Sequence, residues 1–212
     1  VFDNILSFRF SFDQKFIDEN HTQISKEYFD NEVIELGQDE VYFDLGGFDG
    51  DSAENFIKFV DGNYKSVHIF EPDQGLIDKA TVRLNGRRNL YFNALGIYDK
   101  KTTLFFDVTG GLDGIISNQG SARIDTTTID EYSHDHDKPT YIKFDVEGVE
   151  IEAIHGGVSI IKHTKPKLAI ASYHYPKHLW EIPLLVKQLN PAYKLRLRHY
   201  TDSVFESIFY FI

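Results

Sequence analysis

The residues able to do chemistry fall into two short blocks. The first is Asp44-Leu45-Gly46-Gly47-Phe48-Asp49-Gly50-Asp51-Ser52, and the second is Lys143-Phe144-Asp145-Val146-Glu147-Gly148-Val149-Glu150. Each follows an apolar run, Val41-Tyr42-Phe43 or Tyr141-Ile142. Gly46, Gly47 and Gly50 allow a backbone with positive φ that approaches a ligand closely. Asp145 and Glu147 stand at a strand end, where carboxylates can hold an ammonium, bind a metal or take a proton. Glu150 reads as a favourable charge in the first turn of the following helix.

Ligands of an open α/β sheet bind outside the carboxyl ends of its strands, so the elements around these blocks must be strands feeding helices. The hydrophobic pattern predicts strands over 40–45, 64–70, 89–93, 140–146 and 167–172. Helices are expected over 51–60, 74–84, 147–161 and 177–189, the last with an apolar stripe of Trp180, Leu184, Leu185 and Leu189. A terminal antiparallel pair covers 193–200 and 204–212. Residues 97–128 read as an antiparallel excursion with strands at 102–108 and 122–128 and a turn at 109–114, and 132–138 reads as a polar loop. Alternating strands and helices mean an α/β fold with a mostly parallel sheet. Residues 1–38 form a helical cap and 39–212 the main domain.

The second strand ends in Glu71-Pro72-Asp73, which places a carboxylate for a ribose diol. A nucleoside-bearing cofactor is therefore expected. The nicotinamide fingerprint Gly-x-Gly-x-x-Gly counted from Gly46 needs glycines at 48 and 51, where Phe48 and Asp51 stand. Asp49 and Asp51 would crowd a pyrophosphate with negative charge, whereas a donor carrying an ammonium and a sulfonium suits them. S-adenosylmethionine fits and NAD fits poorly. Asn93-Ala94, closing the third strand, are expected against the adenine.

His174 in Ser172-Tyr173-His174-Tyr175-Pro176 has a strand-end address, and a neutral ring there can accept a proton near pH 7. Trp180 with Tyr173 and Tyr175 could wall a sugar ring, or Trp180 could simply pack. His134-Asp135-His136-Asp137 reads as a solvated loop, and no metal ligand is assigned. Arg196 and Arg198 are either an anion receiver or an edge strand.

The 212 residues suffice for one α/β domain, and 22 Lys and Arg against 33 Asp and Glu give a net charge of −11. That balance argues against a nucleic-acid surface, which needs a basic face. No apolar stretch reaches the roughly 18 residues of a membrane span. No signal-peptide pattern is seen and cysteine is absent, so the expected location is cytoplasmic. The start at Val1 and the lack of methionine read as a trimmed chain.

The blocks Val41–Ser52, Ile69–Asp73, Ala94-Leu95-Gly96, Thr126–Tyr132 and Tyr141–Gly156, with the tail from Tyr173 through Pro191 to Tyr200, resemble the FkbM family of S-adenosylmethionine-dependent methyltransferases. Ile142-Lys143-x-Asp145-x-Glu147-Gly148-x-Glu150 is the most specific match. The resemblance implies a class I (Rossmann-like) seven-stranded sheet of order 3-2-1-4-5-7-6, with a C-terminal antiparallel hairpin. It also implies O-methylation, often of a sugar or polyketide hydroxyl, so the acceptor is a glycan or small molecule. Asp44, Gly46, Gly50, Glu71 and Asp145 carry over as cofactor positions, with Gly47, Phe48, Asp51, Ser52, Pro72, Asn93 and Ala94 around them. The family usually has Ala where this chain has Gly47, a difference expected to be neutral. His174 is the expected proton acceptor, with Glu147 orienting the acceptor and Asp145 facing the methionine end of the cofactor. A nicotinamide oxidoreductase and a non-catalytic binding module are the alternatives.

Overall fold

The computed structural model describes residues 1–18, 21–106 and 122–212. Two helices, α1 (Phe2–Ser11) and α2 (Lys15–Asp18), and a 3-10 turn (Ile24–Lys26) precede β1 (Val41–Leu45). Then come α3 (Asp51–Phe59), β2 (Ser66–Phe70), α4 (Gln74–Arg83), β3 (Leu90–Asn93), β4 (Gly96–Ile97), β5 (Thr103–Phe106) and β6 (Ala122–Thr127). The second half runs α5 (Ile129–Asp135), β7 (Tyr141–Phe144), α6 (Glu150–His155), α7 (Val158–His163), β8 (Lys167–Ala171), α8 (His178–Leu189), β9 (Leu195–His199) and β10 (Ser207–Phe211).

Seven strands form one sheet of order β3-β2-β1-β7-β8-β10-β9. The first five pair in parallel and β10 pairs antiparallel with both β8 and β9. Numbered without the three strands of the excursion, this is the order 3-2-1-4-5-7-6 with a final hairpin. Every residue of β1 and β2 is buried, as strands covered on both faces require. The parallel register sets Asp44 beside Lys143.

Two apolar clusters cover the faces. Ile5, Phe8 and Ile17 join one, and Tyr28, Phe29, Val33 and Ile34 join the other. The N-terminal cap thus contributes to both cores.

At the amino end of the sheet one buried carboxylate is fully served. Glu40 Oε1 accepts from Lys167 Nζ at 2.6 Å and from Gly37 N at 2.7 Å, and Oε2 accepts from the Thr140 hydroxyl. Burial opposes its charge, but these donors outweigh burial and its pKa falls below the ordinary range.

Local differences from the sequence expectations have identifiable causes. The excursion is mixed, with β4 parallel and β5 antiparallel to β6, and the expected turn at 109–114 lies outside the described residues. Half of the expected loop 132–138 is helix, because Thr128 caps α5 by accepting from Glu131 N at 2.9 Å. The expected helix 147–161 is two helices broken at Gly156-Gly157. Asp130 caps the second one, accepting from Ser159 N at 2.8 Å and Ile160 N at 2.9 Å. A side chain at 156 would collide with the Tyr98 carbonyl, and one at 157 would come within 2.9 Å of Ile129 Cδ1. In α8 the buried face is His178, Leu179, Ile182 and Val186, while Trp180 and Leu184 are exposed, so the expected stripe is displaced. No helix among the described residues is long and apolar enough to cross a membrane.

Candidate active site

A cavity of about 1150 Å³ opens where β1, β2, β7 and β8 end. Gly46 (φ +77°) turns the chain out of β1 so close to β7 that a Cβ there would overlap the Asp145 carbonyl. Gly50 (φ +85°) starts α3 against α4, where a Cβ would lie 3.0 Å from Ala80 Cβ. Gly47 is also tight. An alanine Cβ there would strike Ile69 Cγ2, so the expected neutrality of Ala at this position does not hold unless Ile69 shifts.

Beneath the turn lies a buried polar spine. Asp44, fully buried, accepts from Ser52 Oγ at 2.6 Å and pairs with Lys143 Nζ at 3.1 Å. Lys143 also donates to the Gly46 carbonyl at 2.7 Å and lies 3.8 Å from Asp145. Burial works against its ammonium, but Asp44 and Asp145 outweigh it and hold the pKa above the usual lysine range. Asp44 therefore acts through Lys143 and the Gly46 carbonyl and does not line the cavity itself. Glu71 does line it, accepting from Phe48 N at 3.2 Å and Asp73 N at 3.1 Å. A carboxylate has about four acceptor positions, which leaves room for a diol. Phe48, Asp51, Ser52 and Pro72 border the same space.

The other half of the cavity holds His174. Its Nε2 is 3.3 Å from Glu147 and 3.7 Å from Asp145, and its Nδ1 is 2.9 Å from Glu150 Oε1. Desolvation lowers the ring's pKa, yet Glu147 and Glu150 outweigh it and raise it to about 10. The expected neutral ring is thus corrected: facing three carboxylates, it carries its proton at pH 7. Glu150 is fully buried, accepts from Val146 N and Gly148 N, and approaches His178 Nδ1 at 3.3 Å. Burial raises its pKa but His174 and His178 bring it down to about 2. It is a support for the rim as well as a first-turn charge. Asp145, Glu150 and His174 offer three ligand atoms within 4.8 Å of one another, close enough for a metal ion. Tyr173 donates to Asp145 at 2.8 Å, and Tyr175 packs on Gly148 (φ +98°), where a side chain would meet its ring.

Several expected residues lie elsewhere. Asn93 donates to the Ile69 and Tyr91 carbonyls, and Ala94 is exposed; neither lines the cavity, whereas Leu95 and Gly96 do. Asp49 pairs with Arg83 at 2.6 Å, so of the two carboxylates expected to face a phosphate only Asp51 borders the cavity. Trp180 is 48 % exposed and outside it. His136 stacks on Tyr132 at 3.9 Å and Asp137 pairs with Lys65 at 2.8 Å. Arg198 pairs with Asp30 on edge strand β9, away from the cavity. Sequence reasoning gave Lys143 no role and missed Glu27, Tyr28 and Glu206, and all four line the cavity. A lysine inside a buried strand was the available signal for the first; the others lie in segments without a motif.

A cradle too close for any Cβ, a strand-end carboxylate with acceptor positions to spare and an anionic far wall fit a cationic nucleoside donor. The sequence profile described as Methyltransferase FkbM domain matches residues 44–190. No curated protein matches the sequence. Among solved structures, a methyltransferase FkbM from Methylobacillus flagellatus KT has a TM-score of 0.84 at 25 % identity, covering 99 % of this chain and 53 % of that one. The chain spans about half the length of that relative. SMU.1697c from Streptococcus mutans, solved with S-adenosylhomocysteine, has a TM-score of 0.51 at 11 % identity, covering 85 % of this chain and 92 % of that one. Aeropyrum pernix fibrillarin, with natively bound S-adenosyl-L-methionine, has a TM-score of 0.50 at 10 % identity, covering 85 % and 70 %. These last two share the fold.

Proposed function

The chain belongs to the FkbM methyltransferase family, and from that premise we propose that it methylates a hydroxyl of a sugar, glycan or related small metabolite. One observation carries the reading. The Gly46 cradle with Glu71 and the rim of Asp145, Glu147 and His174 open into the same cavity. When bound, S-adenosylmethionine supplies an electrophilic methyl group on a sulfonium. The chain must then align an acceptor oxygen and receive its proton, and alignment supplies a large part of the rate.

His174 is the proton acceptor. Glu150 fixes its Nδ1 side, leaving Nε2 toward the cavity. Asp145 and Glu147, together with the fixed Glu150, hold the proton on the ring. Once those carboxylates turn to a bound cation or hydroxyl, two of the three charges raising the ring's pKa are drawn off. With Glu150 still at Nδ1 the ring's pKa falls part of the way, and the ring releases its Nε2 proton to solvent past the exposed Glu147 before it takes one from the acceptor hydroxyl. Glu147, more than half exposed, is free to make that turn and to orient the acceptor. His174 as imidazolium already neutralises the carboxylates that a metal would bridge, so turnover is expected without added metal.

The test is transfer of labelled methyl into a fractionated glycan extract, with a chelator present, followed by mass analysis of the product. His174→Ala should lower kcat by about 10²-fold or more while keeping cofactor affinity. Near-normal turnover in that variant would move the base role to Glu147 or Asp145. Label found only on nitrogen or carbon would overturn hydroxyl methylation.

A further inference from the structure

The N-terminal cap brings two adjacent residues into the cavity wall, Glu27 and Tyr28, and the turn before β10 brings Glu206. None belongs to a motif block. Glu27 Oε1 is buried and no donor reaches it among the described residues. The Tyr28 hydroxyl is likewise buried without a partner, in a residue only 5 % exposed. Neither Glu27 nor Glu206 forms an ion pair among the described residues. The neighbouring cation, Lys143, is spent on Asp44, the Gly46 carbonyl and Asp145.

We propose that Glu27, Glu206 and the Tyr28 hydroxyl, with Asp145 beside them, form a receptor for a primary ammonium group, the one on the amino-acid end of the methyl donor. The proposal rests on the methyl-donor reading above. Its first support is the match of groups. An alkylammonium has three N–H donors and no acceptor, and the wall offers acceptors lacking donors. The second support is charge. Two carboxyls that share a hydrogen bond disfavour ionising together unless a cation comes between them. Burial, with Glu206 adding to it, pushes Glu27 up to about 10, so the pair keeps a proton when empty. A bound ammonium replaces that shared proton as the compensating charge.

The third support is position. Lys143 Nζ, bonded to the Gly46 carbonyl, lies 5.2 Å from the Tyr28 ring centre, so this wall adjoins the glycine turn. Glu71, at the end of β2, serves the ribose end of the cavity. A donor laid across the turn from Glu71 therefore carries its amino-acid end toward Tyr28. The cap then reads the donor directly as well as closing the core.

The experiment is calorimetric titration of the intact chain with three probes. They are S-adenosylhomocysteine, its deaminated analogue that keeps the carboxylate, and 5′-deoxy-5′-methylthioadenosine, which lacks the amino-acid end. The wild type should bind S-adenosylhomocysteine about tenfold or more tighter than the deaminated analogue, the scale of a charge-assisted hydrogen bond. In Glu27→Gln/Glu206→Gln that preference should vanish while the other two affinities hold. Retained preference in the variant overturns the proposal, as does equal binding of the first two probes by the wild type. Equal weakening of all three in the variant also overturns it, since the pair would then only support the wall. If none of the probes binds the wild type, the methyl-donor reading falls and takes this one with it.

Discussion

The two ends of the sheet treat buried charge in opposite ways. At the amino end Glu40 meets a lysine, a hydroxyl and a backbone amide, and both its oxygens are served. At the carboxyl end Glu27 Oε1 and the Tyr28 hydroxyl are buried without a hydrogen bond among the described residues. Backbone strain does not follow this division: Phe48 and Glu147 at the rim take positive φ without being glycine, and so do Asp61, Asn89 and Lys165 ahead of strands at the amino end. An unserved buried polar group costs about 1–3 kcal/mol, and a non-glycine residue at positive φ adds a similar amount. One end of the molecule is built for stability. The other leaves buried polar groups open toward the cavity, as the proposed ligand site requires.

The sharpest way to test the contrast is to fill the rim's tightest point. Gly46→Ala should cost about 3 kcal/mol or more, because the new Cβ collides with the Asp145 carbonyl at a φ that suits only glycine. Chemical denaturation measures it, and an unchanged midpoint would show the turn to be pliable. Glu40→Gln is the counterpart at the served end. It should cost about 2 kcal/mol of stability, the scale of a lost charged hydrogen bond, and leave kcat/KM per folded molecule unchanged. A drop in kcat/KM there would erase the division between the two ends.

The smallest effects concern two histidines in thermal melts across pH. His68, buried in β2 between Tyr132 and Ser66, is pushed down to about 4 by desolvation. Between pH 4 and 6.5 the unfolded chain binds a proton that the native chain refuses, so stability falls as pH drops through that window. His174, raised to about 10, acts in the other direction. Its contribution is complete below pH 6.5 and is lost as pH climbs toward 10. His68→Phe should flatten the acid slope and His174→Gln the alkaline one. Exchange of those two outcomes would reverse the assignment of charged rim and neutral sheet face.

Much of the fold could be read from local pattern. Continuous apolar runs marked the central strands, and Asn-Gly after Leu84 and the glycine turn at 46–50 bracketed the first helices. The family blocks supplied the strand order. What could not be read depends on partners far along the chain. Asp49 looked like a ligand-facing charge until Arg83, on the next helix, claimed it. Glu150 looked like an ordinary helix-start carboxylate, and only the fold sets His174 and His178 against it. Asn93 had the address of an adenine contact, but its amide is taken by neighbouring carbonyls. The cap's part in the cavity had no local signal, because its residues reach the site only through the folding of the whole chain.

The break between α6 and α7 has a consequence for divergence. Gly156 and Gly157 form a socket, and Tyr98 and Ile129 seat the excursion of β4, β5 and β6 in it. Tyr98, Leu104 and Ile124 then line the cavity from elements other than those that carry Asp145, Glu147 and His174. Substitutions in the excursion can therefore reshape that side of the cavity without touching the glycine turn or the carboxylate rim.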